Sequence, residues 1–118
     1  MFAERLEQLA ERIGHVRAVS LIAGDGIPIE THPHDPGVDV EALAAEMVSQ
    51  AQAVATNHEE ISPGPVRYLA VSTVESTLVV SAVKSDYYFL TVLEPGANFG
   101  RARFELRRAV LDFEMDLV

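Results

Sequence analysis

The chain contains no cysteine. Without thiols there is no disulfide framework, no thiolate zinc site and no cysteine nucleophile. Lysine is almost missing too, Lys84 being the only one. A phosphate-binding loop needs a glycine-rich turn running into Lys-Ser/Thr at the start of a helix. Lys84-Ser85 ends an apolar, strand-like run with no glycine upstream, so the chain has no such loop of its own. Basic residues are absent between Arg17 and Arg67, where Asp25, Glu30, Asp35, Asp39, Glu41, Glu46, Glu59 and Glu60 all fall. With nine Lys+Arg against 18 Asp+Glu the net charge is −9. Such a surface repels polyphosphates and anionic lipid, which argues against nucleic-acid and membrane partners. Long apolar runs are lacking as well, and Met1–Gly14 is charged throughout. Neither a membrane-spanning helix nor a signal peptide is read, and a cytoplasmic location is expected.

What remains is a chain of 118 residues, 48% apolar and 23% charged, suited to one folded domain with a real core. Phe2, Leu6, Leu9 and Ile13 repeat at helical spacing opposite Glu4, Glu7, Gln8, Glu11 and Arg12, and Gly14 stands where such a helix stops. Two apolar runs, His15–Ala23 and Ile27–Thr31, flank Gly24-Asp25-Gly26, which predicts a hairpin whose two central turn positions favour positive φ. His32–Gly37, with Pro33 and Pro36, reads as a loop. Asp39 is positioned to cap a second helix over about Val40–Thr56. Its large apolar residues, Val40, Leu43, Met47, Val48 and Val54, fall on one arc. The remaining arc holds Glu41, Ala42, Ala45, Glu46, Ser49, Gln52 and Ala53, residues that are small and weakly charged for a solvated helix back. Two explanations stand side by side: close helix–helix approach, or alanine used for its helix propensity.

A loop at Ile61–Pro65 precedes three strands, Val66–Val74, Thr77–Lys84 and Tyr87–Leu93. They are joined by Glu75-Ser76 and Ser85-Asp86, turns so short that the strands form an antiparallel meander. Leu78-Val79-Val80 and Tyr88-Phe89-Leu90 are apolar without alternation, as in strands covered on both faces. Asn98 is placed to cap a last helix reaching about Met115. One stripe on it is Phe99, Ala102, Leu106, Ala109, Val110 and Phe113. A second, formed by Phe104, Leu111 and Met115, is left for either the first helix or a partner molecule. Its charges, Arg101, Arg103, Arg107 and Arg108 against Glu105, Asp112, Glu114 and Asp116, read as a solvated mixture. The expected fold is α/β (α+β), of order αββαβββα: a three-layer α-β-α sandwich around a five-stranded antiparallel sheet.

Chemistry-bearing motifs are few. His32-Pro33-His34-Asp35 is the best metal candidate and is read chiefly as a polar loop; His15 and His58 are distant in sequence. No Ser or Thr sits in a nucleophile elbow with an identifiable base, and Glu59-Glu60 reads as solvated loop charge. The expectation is a non-catalytic interaction domain with no metal and no cofactor.

The segments Val16-Arg17-Ala18-Val19-Ser20-Leu21-Ile22, Gly24-Asp25-Gly26-Ile27-Pro28-Ile29, Tyr88-Phe89-Leu90-Thr91-Val92-Leu93 and Pro95-Gly96-Ala97-Asn98-Phe99-Gly100-Arg101-Ala102-Arg103-Phe104, with the alanine-rich second helix between them, carry a family likeness. Nearly end to end the chain resembles the Roadblock (dynein light chain) family, in its bacterial MglB-like branch. The resemblance implies one domain over residues 1–118, sheet order 2-1-5-4-3, and a homodimer or paralogue heterodimer that extends the sheet. It places the dimer contact on the second helix (Ala42, Ala45, Ser49, Gln52, Ala53) and the third strand (Val66, Tyr68, Ala70). It further implies a platform for a small Ras-like, MglA-type GTPase, whose hydrolysis such proteins activate or co-regulate. Glu41, Glu46 and Gln50 are the candidate docking residues. The alternative is a dimeric scaffold or light-chain subunit indifferent to nucleotide, which the end of the chain soon after the last helix favours slightly.

Overall fold

The helical stripe of Leu6, Leu9 and Ile13 is buried along α1 (Phe2–Ile13), as its spacing requires. The computed structural model describes residues 2–57, 65–84 and 86–117; His58, Glu59, Glu60, the loop up to residue 64, and Ser85 lie outside them. After α1 come β1 (Val16–Ala23), β2 (Pro28–His32), α2 (Val40–Asn57), β3 (Tyr68–Ser72), β4 (Thr77–Ala82), β5 (Tyr87–Leu93) and α3 (Phe99–Glu114). All sheet pairings are antiparallel, and the strand order is β2-β1-β5-β4-β3.

The strands without alternation are buried on both sides for a visible reason. Val19, Leu21, Val79, Phe89 and Leu93 pack with α1 and α3 on one face, where Phe89 meets Phe113 edge-on at 4.8 Å. Ile22, Val80 and Leu90 pack with Ala44, Met47, Val48 and Ala51 of α2 on the other. The result is the expected three-layer sandwich. Both helix caps form as the sequence requires. Asp39 Oδ1 accepts from the Ala42 N–H at 3.0 Å, and Asn98 Oδ1 accepts from the Arg101 N–H at 3.0 Å.

Local geometry departs from the sequence reading at five places. Only one residue of the β1–β2 turn has positive φ, Gly26 at +89°. The turn is a three-residue loop closed by Gly26 N–H to Ala23 C=O (2.9 Å) and Ala23 N–H to Ile27 C=O (3.0 Å). Its extra residue is absorbed by a bulge, where Leu21 pairs with Glu30 but Ile22 with Pro28. β3 is shorter than expected, beginning at Tyr68, so Val66 and Arg67 precede it. β4 stops at Ala82, and Lys84 takes φ +64° in the turn to β5. The β3–β4 turn falls one residue earlier than read: Thr73 N–H donates to Ser76 C=O at 2.8 Å, leaving Val74-Glu75 at the tip.

The fifth departure concerns α3. Its first stripe is buried at Ala102, Leu106, Ala109 and Phe113. The second does not pack on α1: Phe104 is 61% exposed, Leu111 60% and Met115 85%. α1 stands on the opposite flank. Its Arg12 reaches the buried Glu105 at 3.2 Å, its Arg5 reaches Asp116 at 2.6 Å, and Phe2 stacks on Phe113 at 5.6 Å.

Candidate interaction surface

β3 is an edge strand with five uncharged residues, Tyr-Leu-Ala-Val-Ser, and no proline or bulge to blunt it. The Ala82 N–H donates to Arg67 C=O at 2.9 Å and the Thr73 N–H to Ser76 C=O at 2.8 Å, so the odd-numbered residues of β3 face β4. By the alternation of an antiparallel ladder, the N–H and C=O groups of Tyr68, Ala70 and Ser72 point to the open edge. Both faces of the strand are also open, since Tyr68 is 41% and Val71 39% exposed. An unpaired, uncharged edge of this kind is a template for another strand.

The back of α2 is the second open element. Glu41, Ala42, Ala45, Glu46, Ser49, Gln50, Gln52 and Ala53 are all exposed, so the small-residue arc turns away from the chain's own core. Part of that arc has an internal explanation. A Cβ on Gly26 would stand 3.3 Å from the Ala45 Cα, and Gln52 Nε2 donates to the Gly24 carbonyl at 2.9 Å. Ala45 and Gln52 therefore let the β1–β2 turn sit against the helix flank. Ala42, Ser49 and Ala53 point directly outward, and Gln50 Nε2 donates to Glu46 Oε1 at 3.2 Å on the far flank. Gly26→Ala should lower stability by about 1–2 kcal/mol, from left-handed backbone strain and the close Ala45 contact. Urea unfolding with an unchanged m-value checks this.

The remaining sequence candidates are placed as follows. Asp35 is engaged by its own chain: Arg17 Nε lies 3.4 Å from Oδ2, and the Gly37 N–H donates to Oδ1 at 2.8 Å. Among the described residues no three His, Asp or Glu side chains gather as a metal-binding group, and His32-Pro33-His34-Asp35 does not form one. No helix of the described residues is long and apolar enough to cross a membrane. One feature was only half legible in sequence. Phe104 and Leu111 of the second α3 stripe, but not Met115, line a groove of ≈ 1010 Å³ against β3 and β4, together with Tyr68 and Val79.

The chain thus combines the order αββαβββα and sheet order 2-1-5-4-3 with an open uncharged edge and an outward small-residue helix face. Residues 2–94 match the model of the Roadblock/LC7 domain, and the chain belongs to that family. The fold is shared with a Roadblock/LC7 domain from Streptomyces avermitilis (TM-score 0.83, 20% identity, covering 93% of this chain and 92% of that one). It is shared likewise with Myxococcus xanthus MglB (TM-score 0.85, 14% identity, 96% and 91% covered). A third similar structure is an MglB with a tetrameric arrangement (TM-score 0.82, 19% identity, 95% and 84% covered). Comparison of the sequence with curated proteins gives no match.

Proposed function

We propose that this chain is a dimeric, non-catalytic platform that binds and regulates a small Ras-like GTPase of the MglA type. The observation that carries the reading is the conjunction of an unpaired β3 edge and an outward small-residue face on α2, in a chain of the Roadblock/LC7 family. Pairing β3 with its copy joins two sheets into one and covers the edge. It brings Val66, Tyr68 and Ala70 of each chain to the two-fold axis, with Ala42, Ala45, Ser49, Gln52 and Ala53 as the helical part of the contact. The likeness to MglB, including one with a tetrameric arrangement, supports self-association. Glu41, Glu46 and Gln50 remain on the rim for the GTPase.

The mechanism follows from what the platform lacks. An arginine finger neutralises charge that develops on the transferred phosphoryl group. α2 has no arginine, and Arg17 is paired with Asp35. Regulation then proceeds by holding the GTPase's own switch segments in their active arrangement. Arg67, which stands just before β3, is the nearest unpaired candidate among the described residues. Arg67→Ala is expected to leave GTPase stimulation within about twofold, whereas loss of a true finger costs about 10³-fold or more.

The deciding experiment follows binding of the chain to a small Ras-like GTPase from its own source, loaded with a GTP analogue or GDP, with hydrolysis read in parallel. Preference for the GTP form with faster hydrolysis supports an activating regulator. Preference without acceleration makes the chain an effector platform, and equal or absent binding replaces the reading with a nucleotide-indifferent scaffold.

A further inference from the structure

The α3 flank turned away from α1 and the underside of β3 border the ≈ 1010 Å³ groove, which continues past the start of β3 to Ala55 of α2 and to Tyr88. Its apolar surface comes from Tyr68, Phe104, Val110 and Leu111, of which Phe104 and Leu111 are 61% and 60% exposed. Its charge is opposite to that of the protein. Arg103, Arg107 and Lys84 line it on this face against a single carboxylate, Glu114, and the Lys84 Nζ is held by the Leu117 C=O. Among the described residues no carboxylate lies within 4.0 Å of the Arg67, Arg103 or Arg107 guanidinium; the ion pairs of α3 run from Glu105 to Arg12 and Arg108. Arg103 instead rests 5.7 Å from the centroid of the Tyr68 ring, spanning the groove at its upper end. The helix that supplies one wall starts at Phe99, beyond the residues matched by the family model.

We propose that this groove is a docking site for an amphipathic helix of a partner protein that carries acidic residues beside its apolar stripe. An apolar stripe at helical spacing fits against Phe104, Val110 and Leu111 as a helix fits any elongated groove. The Arg103 and Arg107 guanidinium groups on the α3 wall select carboxylates on its flank. α3 has 16 residues and spans about 24 Å, so a helix of about four turns fills the groove. The site does not depend on the GTPase reading, but its Val66 and Tyr68 also belong to the proposed β3 dimer contact, so the oligomeric state is followed beside peptide binding.

Two labelled synthetic helices of about 16 residues test it on the full chain by fluorescence anisotropy. They share a leucine stripe at helical spacing, and one carries Glu and the other Lys along the flanks. The Glu peptide is expected to bind at least tenfold tighter despite the chain's overall charge of −9, with the difference shrinking as salt is raised. The double variant Arg103→Glu/Arg107→Glu should reverse that preference. Phe104→Ser/Leu111→Ser, at exposed positions, should weaken both peptides and leave the circular dichroism unchanged. Equal binding of the two peptides, no binding of the Glu peptide at millimolar concentration, or an unchanged preference in the double arginine variant overturns the proposal. So does a smaller oligomer for Phe104→Ser/Leu111→Ser, which assigns the groove to a second copy of the chain.

Discussion

Ala70→Pro is expected to turn a dimer of this chain into a folded monomer. Ala70 is the middle residue of β3 and its N–H points to the open edge, because Arg67 and Thr73 fix the odd-numbered residues toward β4. Proline removes that donor and sets its ring against any incoming strand. It is tolerated on the outer side of an edge strand, so the ladder to β4 persists. In a two-fold contact both copies lose the same bond at the centre of the interface. Self-association should weaken on the order of 100-fold. Sedimentation equilibrium reads the change, and thermal unfolding of the dilute protein should move little. Leu69→Pro supplies the contrast. Leu69 pairs with Val80 and faces β4 with its N–H, so this change damages the fold itself. An Ala70→Pro variant that sediments as a dimer would show that β3 is not the contact.

Glu41→Lys/Glu46→Lys carries the second large effect: at least a tenfold loss of affinity for the GTP-loaded GTPase, with dimerisation unchanged. Both carboxylates are exposed on a helix that has no basic residue, and Gln50 holds Glu46 from one turn away. Reversing two rim charges replaces attraction by repulsion toward a basic docking surface. The cost should appear mainly in the association rate and fall with rising salt. Surface plasmon resonance at two ionic strengths checks both features. Full affinity in this variant would move the docking surface off the first half of α2.

These two predictions rest on different kinds of legibility. The helix 2 face could be read in the sequence because 100° per residue places Ala42, Ser49 and Ala53 together whatever else the chain does. The sequence did not reveal that Ala45 and Gln52 also serve the chain's own β1–β2 turn, through the 3.3 Å approach to Gly26 and the bond to the Gly24 carbonyl. Such contacts join residues about two dozen positions apart and leave no periodic trace. The parity of β3 was equally hidden. Its residues alternate in any register, and only the bonds at Arg67 and Thr73 decide which set meets the open edge.

Sequence alone determined the element order, the two helix caps, the stripe of α1 and the need to cover the sheet on both faces. Each follows from local propensity or from the 3.6- and 2-residue periods, which act within a few residues. The strand order 2-1-5-4-3 came with the family resemblance, and the structure has it. Only the tertiary structure decided what stands opposite each face. Phe104, Leu111 and Met115 were legible as a second apolar stripe, but their neighbour depends on which side α1 takes. α1 packs on the other flank, where Leu6, Leu9 and Ile13 share a core with Ala102, Leu106, Ala109 and Phe113 and Arg12 meets Glu105. Phe104 and Leu111 stay open beside β3. The same packing brought Lys84 beside Arg103 and Arg107 at a basic groove on an acidic protein. Periodicity fixes an angle on an element; long-range packing fixes what that angle faces.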